Sequence, residues 1–153
     1  MVSRFGYLTD VPVDFSTCSL AGTEYAAFLA KNFHATLRLL HVNYPYVDYA
    51  FVDRVGTRLS ELIEAVGEAA RQEMDALKQM DFLRGVPVKT EICLGYATEK
   101  ICKAAGQPNV DLIVMSTHGR TGLKHVFIGS VAEQVVRYAE RPVMVVPSYQ
   151  ASS

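Results

Sequence analysis

The residues best suited to chemistry lie in one stretch. A polar run containing glycines, Ser116-Thr117-His118-Gly119-Arg120-Thr121-Gly122, follows the apolar residues Leu112 to Met115, and a second glycine-serine pair stands at Gly129-Ser130. Glycines of this kind let backbone approach a ligand closely and tolerate positive φ. A helix beginning near Ser130 adds unpaired N–H groups, which suit an anion. Two such N–H clusters, around Gly119 and near Ser130, together suit a polyphosphate. Arg120, Lys124 and His125 bring positive or titratable character nearby, as an exposed charged loop also would. His118 is the one side chain there suited to act as a base, but no nucleophile, base and orienting group assemble around it. The chemistry expected is binding, with no catalytic residue assigned.

These groups must be held by strands and helices. Leu112 to Met115 is short enough for a strand covered on both faces, and its polar loop then falls at the carboxyl end, where open α/β sheets place ligands. Ser130 and Glu133 have capping-box spacing at the start of a helix over 131–139. Val131, Val135, Val136 and Ala139 give that helix its apolar stripe, Pro142 stops it, and Val143 to Val146 reads as a last strand.

Earlier in the chain, Phe5 to Val13 reads as the first strand, with Asp14 at its carboxyl end. Asp10 is unusual inside a central strand: either the strand is shifted or the carboxylate is paired, since an isolated buried carboxylate is costly. Thr17 or Ser19 is available to cap a helix to about Asn32, with Leu20, Ala26, Ala27, Ala30 and Phe33 on its inner face. Leu37 to Val42 is the second strand. His41 beside Val42 reads as structural. The aromatic segment Asn43 to Gly56 lacks a sustained period and suits a lid, a partner surface or a satellite core. Leu59, Leu62, Ile63, Val66, Ala69, Ala70, Met74 and Leu77 then mark a long amphipathic helix for which Thr57 is a cap. Val86, Val88, Thr90 and Ile92 alternate with polar residues and Pro87, as on an edge strand. A short helix carrying Ile101, Ala104 and Ala105 follows Gly95-Tyr96-Ala97-Thr98.

The alternation of strand and helix predicts an α/β domain over 1–153, with an open, mostly parallel five-stranded sheet and helices on both faces. The Gly-x-Gly-x-x-Gly dinucleotide fingerprint is absent after the first strand, and so is the P-loop Gly-Lys-Ser/Thr. Fifteen Lys and Arg against sixteen Asp and Glu leave a formal charge of −1. No strong field therefore favours nucleic acid or an anionic membrane. The apolar runs fall short of a membrane span, and no basic region followed by an apolar one opens the chain, so a cytoplasmic location is expected. Cys18, Cys93 and Cys102 have no metal-ligand spacing and read as small hydrophobes in a reduced protein.

The chain resembles the universal stress protein family, and within it the nucleotide-binding branch. That branch carries glycine, two residues, glycine, nine residues, glycine, then serine or threonine. Here the pattern falls on Ser116, Gly119, Gly129 and Ser130, with serine in place of the first glycine. The segments THGRTGLKH, GSVAEQVV and RPVMVVP carry the likeness further, as do Val11 to Ser16 and Leu39 to Val42. The resemblance implies strand order 3-2-1-4-5 and ATP or another adenine nucleotide as cofactor, possibly with Mg2+ held by the phosphates rather than by a protein metal site. It implies a nucleotide site made of Asp14, Val42, Met115, Ser116, Gly119, Gly129, Ser130 and Val131, with Asp14 toward the adenosine and Val42 lining the adenine pocket. It also implies a homodimer through Val143 to Val146. Three functions follow: an ATP-binding stress or regulatory protein, a nucleotide-independent dimer acting through protein association, and a slow ATPase. Ser116 favours the second, unless its side chain turns away or contributes its hydroxyl, in which case binding is retained.

Overall fold

The computed structural model describes residues 7–44, 58–118 and 128–147. Five strands, β1 (Leu8–Pro12), β2 (Thr36–Asn43), β3 (Val88–Leu94), β4 (Leu112–Ser116) and β5 (Val143–Val146), form one parallel sheet in the order β3-β2-β1-β4-β5. Among the described residues four helices alternate with them: α1 (Thr17–Phe33), α2 (Arg58–Lys78), α3 (Ala97–Ala105) and α4 (Ser130–Tyr138). A short 3-10 turn, Asp81–Leu83, precedes β3. The class and strand order expected from the sequence are those observed.

Alternation along the strands divides the core in two. Val11, Leu37, Leu39 and Val114 face α1 and α2, meeting Ala26, Ala27, Ala30, Met74 and Leu77. Leu8, Leu40, Ile113 and Met115 face α3 and α4, meeting Ile101, Ala104, Ala105, Ala132 and Val135. Successive strand residues point to opposite faces, so a strand with helices on both sides favours apolar residues on both, as β4 has from Leu112 to Met115. β3 and β5 are the edges. Along β3, Lys89, Thr90 and Leu94 are exposed and Val88, Glu91, Ile92 and Cys93 half-buried, so the expected alternation breaks at Thr90 and Glu91; Pro87 lies just before the strand, where no ladder bond is lost.

Asp10 is fully buried, and the pairing alternative is the correct one. Arg38 Nε and Nη2 reach the two Asp10 carboxylate oxygens at 2.7 and 2.6 Å, an ion pair between neighbours in the β1–β2 register. Nη2 also donates to the Ala104 carbonyl at 2.9 Å and Nη1 to Gln107 Oε1 at 2.7 Å. Arg38 thus satisfies the last turn of α3 while neutralising Asp10, a favourable place for a cation. Burial pushes the Asp10 carboxyl up, and the hydrogen bond and charge of Arg38 pull it back.

Several local expectations are corrected. The cap of α1 is Ser16, not Thr17 or Ser19: its side chain accepts the Ser19 N–H. Phe33 is exposed rather than inward. Thr57 lies outside the described residues, as does most of the aromatic segment after Asn43. In α2 only the second half of the apolar stripe is buried, through Ala70, Met74 and Leu77, whereas Leu62, Ile63 and Val66 are exposed. The capping box at Ser130 does not form. Gly129 is the N-cap, no side chain caps the helix, and the Glu133 carboxylate meets Arg137 instead. The buried face of α4 is Ala132 and Val135, with Val131 and Val136 exposed.

Candidate functional site

A cavity of about 330 Å3 opens where β1, β2 and β4 end, bounded by the starts of α3 and α4. Asp14, Val42, Met115, Ser116, Gly129, Ser130 and Val131 all line it. Gly119, also expected at the site, lies outside the described residues, as do Arg120, Lys124 and His125. Its position at the carboxyl edge is where a doubly wound sheet leaves a crevice.

The β1 side is fixed by a compact hydrogen-bond circuit. Asp14 Oδ1 accepts from the Ser16 N–H at 3.0 Å and from its hydroxyl at 2.6 Å, while the Asp14 N–H donates to Ser19 Oγ at 3.2 Å. Asp14 therefore turns the chain into α1 as well as lining the cavity. Phe15 pays for this turn with φ of 63°, a left-handed conformation uncommon for a bulky residue. Its ring packs 4.5 Å from that of His41. His41 is buried, with Nδ1 2.7 Å from the Val13 carbonyl oxygen and Nε2 2.8 Å from Asn43 Oδ1, so both ring nitrogens are occupied by structure. Ser16→Ala should destabilise the fold by about 1 kcal/mol through the lost cap, read by urea denaturation, and should also release Asp14 from its hydroxyl contact. An unchanged midpoint would show that the cap does not act.

On the β4 side the serine at 116 does not fill the crevice with its hydroxyl. Ser116 Oγ donates to the His118 carbonyl at 2.8 Å, closing the turn after the strand. Across from it, α1 presents Gly22, where an added Cβ would lie 3.2 Å from the Ser116 N and 3.6 Å from its Cβ. A helical glycine thus makes the room that the serine occupies. Ser116→Gly should lower stability by about 1 kcal/mol, the worth of one hydrogen bond, without strengthening ligand binding. A large gain in nucleotide affinity would contradict this placement.

Gly129 draws the far wall against the same turn. Its N–H donates to the Thr117 carbonyl at 2.6 Å. That N–H is consequently committed, and the anion-ready groups at this end begin with Ser130 and Val131 in the first turn of α4. His118 lines the cavity with Nδ1 2.8 Å from Thr117 Oγ1, while Nε2 is buried and has no partner among the described residues. No group of three His, Cys, Asp or Glu side chains able to hold a metal occurs among the described residues.

Sequence reasoning missed the wall supplied by α3. Ala97 and Ile101 line the cavity opposite β4, and Thr98 Oγ1 donates to Gln134 Oε1 at 2.8 Å, joining α3 to α4 beside the opening. The buried spacing Ala97-Ile101 was legible as a helix face, but only the fold shows that its first turn borders the crevice. Among the described residues no helix is long and apolar enough to cross a membrane.

Comparison with known proteins agrees with this architecture. The model of the universal stress protein family matches residues 11–147. Universal stress protein MJ0531 of Methanocaldococcus jannaschii is 36% identical over 138 residues, 89% of this chain and 79% of that protein. MJ0577 of the same organism is 38% identical over 87 residues, 57% of this chain and 54% of that one. Its solved structure superposes with a TM-score of 0.80 at 29% identity, covering 95% of this chain and 98% of that chain. Universal stress protein UspA from Lactobacillus plantarum gives a TM-score of 0.73 at 30% identity, covering 93% and 98%.

Proposed function

Since the chain belongs to the universal stress protein family, we propose that it is a cytoplasmic, single-domain, dimeric stress-response or regulatory protein that binds ATP or another adenine nucleotide. The observation carrying this reading is the convergence on one cavity of Asp14 and Val42 from the β1 and β2 ends with Ser116, Gly129, Ser130 and Val131 from the β4–α4 side. A nucleoside lies toward Asp14, Val42 and Met115 in this account. Its phosphates extend to Gly119 and the α4 N-terminus, where first-turn N–H groups receive them. Magnesium, when bound, offsets the phosphate charge and is held mainly by the phosphates. The chain supplies orientation and N–H donors, and no residue is assigned a catalytic step. Thermal unfolding of nucleotide-stripped protein tests the reading: millimolar Mg-ATP should raise the midpoint and GTP should do so less, because a ligand bound only by the folded state stabilises it. Equal shifts for both would remove the adenine assignment.

The dimer is placed at β5, an edge strand of half-buried apolar residues. An exposed edge of this kind is a pairing liability unless covered, and a second copy covers it with the equivalent strand about a two-fold axis. Light scattering should give twice the chain mass at micromolar concentration. Val145→Lys should shift it toward the monomer, while an unchanged dimer would place the interface elsewhere.

A further inference from the structure

A second cavity, of about 340 Å3, lies at the other end of the sheet on the face covered by α1, and shares no lining residue with the first. Small side chains at two positions of its lining open it. Ala30 near the end of α1 and Ala35 after it leave space above the first residues of β1 and β4, with Met144 of β5 forming a wall. Tyr7 and Phe33 border it and stay about half or more exposed, at 48% and 63%.

Two polar groups break this apolar lining. Thr9 on β1 is 6% exposed and lines the cavity. Its hydroxyl can donate or accept a hydrogen bond there. Asp111 offers the second. Its Oδ2 accepts the Leu8 N–H at 2.9 Å, which holds the carboxylate in place, while the residue remains exposed at the cavity. A carboxylate there repels anions and attracts an ammonium group.

We propose that this cavity is a ligand site for a small arylalkylamine, its ring in the apolar space and its ammonium on the Asp111 carboxylate, with the Thr9 hydroxyl as an additional acceptor. The site stands apart from the nucleotide reading, and either can fail without the other.

The test titrates the full chain with 2-phenylethylamine, following the Met144 methyl and the Tyr7 and Phe33 ring signals by NMR. 2-Phenylethanol and phenylacetate carry the same ring with neutral and negative groups. The amine should shift these signals saturably at millimolar concentration, the alcohol should bind more weakly, and phenylacetate should bind least. Asp111→Asn keeps an oxygen for the Leu8 N–H and should weaken the amine about tenfold, as loss of a charge-assisted contact would, leaving the alcohol unchanged. Thr9→Val, nearly isosteric, should weaken both amine and alcohol. Equal binding of all three ligands, shifts confined to the first cavity, or no shift would each overturn the proposal.

Discussion

Arg38→Met should be among the most destabilising single substitutions in this protein, at about 3–5 kcal/mol, because it leaves a buried carboxylate without its partner. Asp10 is fully buried and receives both of its close charge-assisted contacts from Arg38. The substitution also removes the Arg38 donor from Gln107 Oε1 and from the Ala104 carbonyl, which keeps the Gln107 N–H at 3.2 Å, so the end of α3 loses this tie to the sheet. Such a loss is a large part of the roughly 5–15 kcal/mol that holds a domain of this size together. The pair itself is a different matter, because desolvation offsets much of the attraction between buried charges. Asp10→Val combined with Arg38→Met should therefore recover much of the stability lost by Arg38→Met alone. Urea denaturation of wild type, single and double variants decides it. A double variant as unstable as the single one would show that the contacts of Arg38 to α3, rather than the unpaired Asp10, dominate.

Gly129→Ala should have the largest effect on ligand binding. A Cβ at this position would lie 2.9 Å from the Thr117 carbonyl oxygen, closer than backbone tolerates. The turn after β4 and the start of α4 must then separate, breaking the 2.6 Å bond between the Gly129 N–H and that carbonyl. Since Ser130 and Val131 present their N–H groups from that helix start, we expect ATP affinity to fall at least about tenfold, equivalent to about 1.4 kcal/mol. Adenosine, which lacks phosphates, should lose much less. Equal losses would place Gly129 away from the phosphates. Circular dichroism and the urea midpoint separate this from general unfolding, and Gly129→Val should exaggerate both effects.

The parts of this fold that were legible in the sequence are those set by periodicity. The apolar run Leu112 to Met115 and the Ala26-Ala27-Ala30 face carry their burial in their spacing and pack as it implies, whereas the alternation from Val86 to Ile92 breaks at Thr90, which is exposed, and at Glu91, which is half-buried with its carboxylate 3.5 Å from Arg38. Local hydrogen bonding was less legible. Ser130 and Glu133 have the spacing of a capping box, yet Gly129 takes the N-cap because the closing of the turn onto Thr117 fixes where the helix starts. Ser16 rather than Thr17 caps α1, since Asp14 engages its backbone and hydroxyl. The partner of Asp10 could not be read locally, because Arg38 becomes its neighbour only when β1 pairs with β2.

The site divides in the same way. Asp14 could be placed at the cavity because it ends a strand, where a parallel sheet makes its crevice, whereas Val42 and Met115 came from the family resemblance. The α3 wall and the room made by Gly22 for Ser116 depend on contacts between distant elements, which no spacing in the chain records. That contact also bears on the serine: its hydroxyl is spent on the His118 carbonyl, so a nucleotide need not displace it.

The most direct measurement is titration calorimetry of nucleotide-stripped protein with Mg-ATP, run alongside the Gly129→Ala variant. Saturable heat at one nucleotide per chain in the wild type, with ATP binding weakened in the variant while adenosine binding persists, is the predicted result. Absence of heat at millimolar ATP, together with an unshifted unfolding midpoint, would contradict the account and leave the chain as a nucleotide-independent member of its family.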